Sequence, residues 1–159
     1  MRTISLSKGY EAFVDDEDYD WLSQWTWIAD PGASKATMYA KRPGQSTSWV
    51  QMHVVIMDPP VGMTVDHRNF NGLDNQRSNL RLATRSQQAM NRLLRADNTS
   101  GYKGVTWDAE SGKWRARIMV EGHSTTLGRY REILDAVRAY DDAARELFGE
   151  FAVLNLGAS

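Results

Sequence analysis

The sequence predicts an α+β fold in two domains, for three reasons. Short alternating or apolar runs, separated by Pro-Gly turns, precede residue 60 and are typical of strands. Residues 84–94 begin with the capping box Thr-Arg-Ser-Gln and predict a helix. From residue 102, three strand patterns precede one long amphipathic helix pattern. Turn-forming residues at 96–101 predict a linker, so the expected domains are residues 1–95 and 102–156.

The N-terminal elements are predicted from alternation and from one acidic run. Residues 3–7 alternate polar and apolar side chains, and residues 11–14 are a second candidate strand. Four acidic residues at 15–18 predict a helix start before residues 19–22, because carboxylates stabilise a helix N-terminus. The acidic run lacks the glycine and the closing glutamate of a calcium loop. Further strands are expected at 25–28, 38–40 and 49–56.

The C-terminal elements are centred on a strictly alternating segment, residues 113–118. Its apolar side chains fall on one face and its basic side chains on the other. Strand patterns at 104–107 and 124–128 flank it, and an apolar repeat of helical spacing then runs to Gly149. The sequence therefore predicts a three-stranded antiparallel sheet packed on one helix, with the basic face of the sheet exposed.

Composition excludes several classes of protein. The chain has no cysteine, so disulfides and thiolate zinc sites are excluded, and a metal must be held by oxygen ligands or histidine. No apolar run approaches the roughly 18 residues of a membrane helix, and the N-terminus lacks a signal-peptide core. We therefore expect a cytoplasmic protein with no membrane partner, and nothing in the sequence implies a protein partner.

The distribution of charge is more informative than the net charge of −1. Residues 67–131 carry twelve Lys and Arg against five Asp and Glu, a net charge of +7, whereas the segments on either side are acidic, at −4 each. A concentrated basic region is typical of proteins that bind a polyanion. A solvated basic surface is the alternative if charge is considered alone.

The most informative residues are Asp66 and His67, which end an apolar run over residues 61–65. Asp66 offers an oxygen ligand to a hard cation. His67, with an ordinary pKa of about 6.5, can take a proton from water near neutral pH. Hydrolysis of a phosphodiester requires both groups, since a metal offsets the charge on the scissile phosphate. A nuclease is therefore the first hypothesis.

A metal held by Asp66 needs a second ligand from another element. On the predicted 84–94 helix, the polar stripe supplies Gln88, or failing that Asn91, through a side-chain carbonyl oxygen. Asn79 is placed to hold the intervening loop by hydrogen bonds to backbone groups, which would fix His67. His53 lies in an apolar run, where a core or loop-bracing histidine is favoured over a catalytic one.

These residues resemble the HNH (ββα-metal) homing endonucleases of phages and their introns. The matching motifs are Met52-His53, Asp66-His67, Leu73-Asp74-Asn75, Asn79-Leu80-Arg81, and Thr84 followed by Asn91. The resemblance implies an HNH core over residues 49–94 with extra N-terminal strands, and one divalent ion, Mg²⁺ or Mn²⁺. It also implies that Asp66 is a metal ligand, His67 the general base and Asn79 the residue that fixes the loop. Gln88 departs from the pattern, which has Asn at this position.

Residues 102–155 resemble the DNA-binding domain of the plant ethylene-response (APETALA-type) transcription factors. The matching motifs are Tyr102-Lys103-Gly104-Val105, the alternating segment 113–118, Leu127-Gly128, residues 136–144, and Phe148-Gly149 to Asn155. The resemblance implies that the sheet lies in the major groove of double-stranded DNA, where Arg reads guanine and Lys reaches phosphate. The contact residues that it implies are Lys103, Thr106, Lys113, Arg115 and Arg117.

The sequence thus predicts a DNA endonuclease with a separate DNA-binding domain, encoded by a phage or mobile element and acting in a bacterial host cell. The alternative is a DNA-binding regulator whose HNH domain is inactive, which Gln88 suggests. An RNA-binding module is a weaker possibility, because the C-terminal match is to a reader of duplex DNA.

Overall fold

The computed structural model describes residues 1–32, 37–90, 94 and 97–157. The chain divides into two compact units, Met1–Thr84 and Arg85–Ser159. Small antiparallel sheets and a few helices make up both, so the predicted α+β class is confirmed. The predicted domain boundaries, with the linker at 96–101, stay predictions. No helix in the described part of the chain is both long and apolar enough to span a membrane.

The first unit contains three antiparallel sheets, β1-β2, β3-β4-β5 and β6-β7. Its elements, in chain order, are β1 (Arg2–Ser5), β2 (Glu11–Val14), α1 (Asp16–Leu22), β3 (Ile28–Pro31), β4 (Met38–Pro43), β5 (Trp49–Gln51), α2 (Met52–Met57), β6 (Met63–His67) and β7 (Leu80–Thr84). The helix predicted after the acidic run is α1, with Asp16, Glu17 and Asp18 in its first turn.

The single strand predicted at 49–56 is wrong. The strand β5 ends at Gln51, and the apolar residues after it form the helix α2. Met52, His53 and Ile56 are the buried residues of α2, and they share one face at helical spacing. A short apolar run fits a buried strand and a buried helix equally well, so periodicity alone could not separate the two.

The strand predicted at 25–28 is also misplaced, since β3 begins only at Ile28. The buried Trp27 indole donates a hydrogen bond of 2.8 Å to the carbonyl oxygen of Leu22, the last residue of α1. Trp25 is exposed. The segment between α1 and β3 therefore closes the end of the helix instead of pairing in a sheet.

Contacts with α1 and β2 tie the long loop between β6 and β7 to the rest of the first unit. Phe13 donates its backbone N–H to Leu73 and accepts one from Asn75, each at 2.8 Å. Arg77 forms two hydrogen bonds of 2.8 Å with the buried carboxylate of Asp18. The loop is thus held from outside the hairpin that it connects.

The second unit begins with a short helix and continues with a three-stranded sheet in the order β10-β9-β8. Its elements are α3 (Arg85–Met90), β8 (Val105–Asp108), β9 (Lys113–Val120), β10 (His123–Tyr130) and α4 (Ile133–Phe148). The apolar faces of β9 and α4 bury Ala116, Val137 and Tyr140. The predicted end of the 84–94 helix cannot be compared, because residues 91–93 lie outside the described residues.

Candidate functional site

Asp66 and His67 lie at the end of β6, where the hairpin opens into its long loop. The strand pairs in register with β7, which places Arg81 opposite Asp66 and Leu80 opposite His67. The Nε and Nη2 atoms of Arg81 both lie 2.8 Å from the same oxygen, Oδ2, of Asp66. Arg81 is buried and Asp66 nearly so. This charge-assisted pair fixes the direction of the carboxylate.

His67 is buried among aromatic rings, with only 5% of its surface exposed. Its ring centroid lies 4.9 Å from that of His53 on α2 and 5.7 Å from that of Tyr39 on β4. Burial lowers the pKa of His67, because the imidazolium loses its hydration, while Asn75, Asp66 and Asp74 oppose that shift. The ring is therefore neutral near pH 7 and able to accept a proton.

His53, the second histidine of this cluster, is also a neutral base. Burial, together with the neighbouring His67, lowers its pKa to about 3. Its ring meets that of His67 edge to face and lies 5.6 Å from that of Tyr39. His53 thus forms part of the wall behind His67, which agrees with the core position favoured by the sequence.

Asn79 connects both ends of the loop that follows His67. Its Oδ1 atom accepts the backbone N–H of Asn69 at 3.1 Å, and its Nδ2 atom donates to the carbonyl oxygen of Asp74 at 2.8 Å. Its own carbonyl oxygen accepts the N–H of Arg68 at 2.9 Å. Through these bonds Asn79 contacts backbone groups of the loop over residues 68–79, which is the kind of contact that the sequence predicts for it.

The two metal ligands predicted on the helix after β7 remain predictions. Gln88 lies on α3, which belongs to the second unit, and Asn91 lies outside the described residues. Among the residues that the structure describes, no group of three or more His, Asp or Glu side chains is arranged to hold a metal ion.

The C-terminal sheet presents a polar and basic face. Arg115 on β9 pairs with Thr106 on β8 and with Arg129 on β10, so the three side chains form one row across the sheet. Lys113 and Arg117 share that face by alternation along β9. Arg117 and Arg129 are exposed. Four of the five predicted contact residues therefore lie on a single face.

Lys103, the fifth predicted contact residue, is engaged elsewhere. Its ammonium donates a hydrogen bond of 2.7 Å to the carbonyl oxygen of Met90, and burial lowers its pKa to about 8. Arg129, for which the sequence predicts no contact, occupies the row instead and donates a hydrogen bond of 2.7 Å to Asp108. A bulge between Thr126 and Gly128 sets the register of Arg129. The sequence carries no clear signal for that register shift.

Comparison with known proteins agrees with this geometry. A family model described as HNH endonuclease matches residues 58–90, which span β6, the loop, β7 and α3. The chain is 30% identical to "Uncharacterized HNH endonuclease L560" of Acanthamoeba polyphaga mimivirus, over 96% of this chain and 78% of that protein. The chain belongs to the HNH endonuclease family. It is also 37% identical to "Protein 3.8" of Escherichia phage T7, over 58% of this chain and 76% of that protein. No solved structure matches the chain significantly.

Two buried residues of the candidate site in this HNH-family protein received no role from the sequence. Arg81 belongs to the recognised Asn-Leu-Arg motif, but its pairing with Asp66 depends on the register of the hairpin. Asn75 is fully buried beside His67, although its sequence context, Leu-Asp-Asn-Gln, resembles an exposed polar loop. Asp74 in the same context could have been recognised as a turn residue, since its Oδ1 atom accepts the N–H of Gln76.

Proposed function

We propose that this HNH protein is a DNA endonuclease that hydrolyses phosphodiester bonds with one divalent ion, Mg²⁺ or Mn²⁺. The observation that supports it best is the arrangement around His67. A neutral imidazole adjoins the carboxylate of Asp66, in a loop whose ends are joined by Asn79. A base that is neutral at pH 7 and held by a closed loop suits proton abstraction from water.

Asp66 has the right chemistry for the ion. A carboxylate is a preferred ligand of Mg²⁺ and Mn²⁺, and Gln88 or Asn91 would add a carbonyl oxygen. When bound, the ion would offset negative charge on the scissile phosphate and the leaving oxygen. Arg81 would keep the Asp66 carboxylate in one orientation through its two contacts to Oδ2.

His67 would remove the proton from the attacking water. Because Nε2 of His67 is enclosed in the protein, Nδ1 is the nitrogen assigned to this step. Asn79 would limit motion of the ring by closing the loop next to it. By the family resemblance, the products would carry 3′-hydroxyl and 5′-phosphate ends.

The basic face of the C-terminal sheet would hold double-stranded DNA. Arg115, Arg117, Lys113 and Thr106 lie on this face, and Arg129 adds a further cation. Arg115 and Arg129 lie directly opposite each other on neighbouring strands, and the Asp108 carboxylate offsets part of the charge of this pair. Lys103 would contribute only after releasing the Met90 carbonyl. The relatives in a phage and a giant virus support an origin in a virus or mobile element.

A plasmid-nicking assay tests the proposal. We expect the wild-type protein to convert supercoiled plasmid to nicked or linear DNA with Mg²⁺ or Mn²⁺ and not with EDTA. His67→Ala should lose at least about 100-fold in rate, the lower end of what a general base contributes, and still retard DNA in a gel. His123→Ala is the matched control, since this exposed histidine lies at the start of β10. Undiminished cutting by His67→Ala would refute the assignment.

The second candidate is a DNA-binding regulator with an inactive HNH domain. Gln88 in place of Asn favours it, and so does Arg81, whose guanidinium already pairs with the Asp66 carboxylate that would hold the metal. The plasmid-nicking assay separates the two candidates when the wild type and Gln88→Asn are compared with several divalent metals. Cutting by the wild type supports the endonuclease. Cutting only by Gln88→Asn, or by neither protein while DNA binding persists, supports the regulator.

A further inference from the structure

The candidate base His67 and two polar side chains of the same cluster have buried atoms without hydrogen-bond partners in the described part of the chain. The atoms concerned are Nδ1 of His53, Nε2 of His67, and both Oδ1 and Nδ2 of Asn75. His53 and His67 are each 5% exposed and Asn75 is 0% exposed. Buried polar atoms are almost always hydrogen-bonded in native proteins, so a group of orphaned atoms at one place calls for an explanation.

Asn75 is held in place by its backbone and not by its side chain. Its N–H bonds the carbonyl oxygen of Phe13 at 2.8 Å, and the preceding residue, Asp74, accepts a bond from Asn79. The amide side chain lies close enough to His67 to stabilise the imidazolium. The terminal side-chain torsion of asparagine rotates easily, and such a rotation is enough to bring the Asn75 amide into a hydrogen bond with the His67 ring.

The orphaned atoms are chemically complementary. Oδ1 of Asn75 can only accept a hydrogen bond, and Nε2 of a neutral histidine donates one when it carries the ring proton. Nδ2 of Asn75 can only donate, and Nδ1 of a neutral His53 can accept. Asn79 and Asp66 are already engaged elsewhere, since Asn79 bonds two backbone groups and Asp66 pairs with Arg81.

We propose that Asn75 is the positioning residue of the catalytic base, with its Oδ1 atom accepting the Nε2–H of His67. This bond holds the imidazole in the tautomer whose lone pair is on Nδ1. Nδ1 is then available to take the proton of the attacking water. The catalytic consequence rests on the proposed endonuclease function, whereas the bond and the tautomer do not.

The imidazole tautomer can be measured directly by NMR on the full chain labelled with ¹⁵N in histidine. Long-range ¹H–¹⁵N correlations distinguish a ring protonated at Nε2 from one protonated at Nδ1. We expect His67 of the wild type to be in the Nε2–H form at pH 7. A wild-type ring in the Nδ1–H form overturns the proposal without any variant, so the proposal can fail even if every substitution at Asn75 unfolds the protein.

Variants add the functional test. Asn75→Leu keeps the branched shape of the side chain but removes the acceptor, and should turn the single tautomer of His67 into a mixture. Asn75→Gln, which keeps the amide oxygen, should restore the single tautomer of His67 at least in part. Asn71→Leu is the matched control, since it removes a loop bond to the N–H of Leu73 and should leave the tautomer unchanged. A single Nε2–H tautomer in Asn75→Leu, or a mixture in Asn71→Leu, overturns the role of Asn75.

Kinetics then separate this proposal from the proposed function. With plasmid DNA and Mg²⁺, Asn75→Leu should slow single-turnover cleavage by about 10- to 100-fold with DNA affinity unchanged, as is typical for residues that orient catalytic groups. If the wild type does not cleave but the tautomer depends on Asn75 as expected, the endonuclease fails and the positioning bond stands. If the wild type cleaves and Asn75→Leu cleaves equally well, the positioning role fails and the endonuclease stands.

Discussion

Replacing His53 by leucine should change how the stability of the first unit depends on pH. His53 is 5% exposed, and its surroundings lower its pKa from the ordinary value of 6.5 to about 3. The titratable groups with ring contacts to it are His67 on β6 and Tyr39 on β4. Neither offers the fixed negative charge that would stabilise an imidazolium, so the folded protein keeps His53 neutral.

The sign and size of the effect follow from proton linkage. Below pH 6.5 the unfolded chain binds a proton at His53, whereas the folded chain does not until about pH 3. Stability therefore falls as pH decreases through this window, and above pH 6.5 the penalty is absent. For these two pKa values, linkage gives a loss of about 2 kcal/mol at pH 5 and about 3 kcal/mol at pH 4. His53→Leu should lack this contribution.

Urea denaturation between pH 7 and pH 4 measures the difference. Amide NMR signals of α2 and β6 report on the first unit alone, which avoids mixing two transitions. The carboxylates and His67 remain in both proteins, so their titration largely cancels when the variant is compared with the wild type. His123→Leu, at an exposed position of β10, is the control and should retain the wild-type slope. Equal pH slopes in wild type and His53→Leu would refute the reasoning.

Two further predictions concern the stability of the second unit, measured by urea denaturation at pH 7. Asp141→Ala should cost about 3 kcal/mol, because this 1% exposed carboxylate accepts backbone N–H groups of the C-terminal segment, whereas exposed Asp142→Ala should cost under about 0.5 kcal/mol. Gly104→Ala should cost more than about 2 kcal/mol, because its Cβ would lie 2.1 Å from the Tyr140 ring at a φ of +73°. Gly112→Ala, with a φ of +61° and open space, should cost about 1 kcal/mol, and equal losses at the two glycines would contradict the steric argument.

The elements that the sequence predicted well are those with a strong local pattern. The alternation over 113–118 lies within β9, and the helical repeat that ends at Gly149 is α4. The acidic run was correctly assigned to a helix start, because carboxylates in the first turn are a local signal. The apolar run over 49–56 lacked such a signal, and there the change from β5 to α2 was missed.

In the candidate site, too, contacts between residues close in the sequence were predictable, whereas contacts between distant residues were not. Asn69 and Asn71 accept backbone N–H groups two residues ahead, which is the turn chemistry that an Asn-rich loop predicts. The resemblance added Asp66 and His67, because their spacing to Asn79 is a family pattern. The environment of His67 was not predictable, since Tyr39 and His53 reach it from β4 and α2.

Arg81 shows why contacts between residues distant in the sequence could not be predicted. Its guanidinium meets Asp66 across fifteen residues, and the closure of the loop by Asn79 helps to set the register that brings them opposite. A shift of one residue would turn Arg81 to the other face of the hairpin and leave the Asp66 carboxylate buried without its cation. The hydrogen bonds of Asn79 therefore affect the position of Asp66 as well as that of His67. Neither residue is itself a partner in the two side-chain hydrogen bonds of Asn79. Loop closure and carboxylate pairing are thus one structural requirement, and a substitution at Asn79 is expected to disturb both.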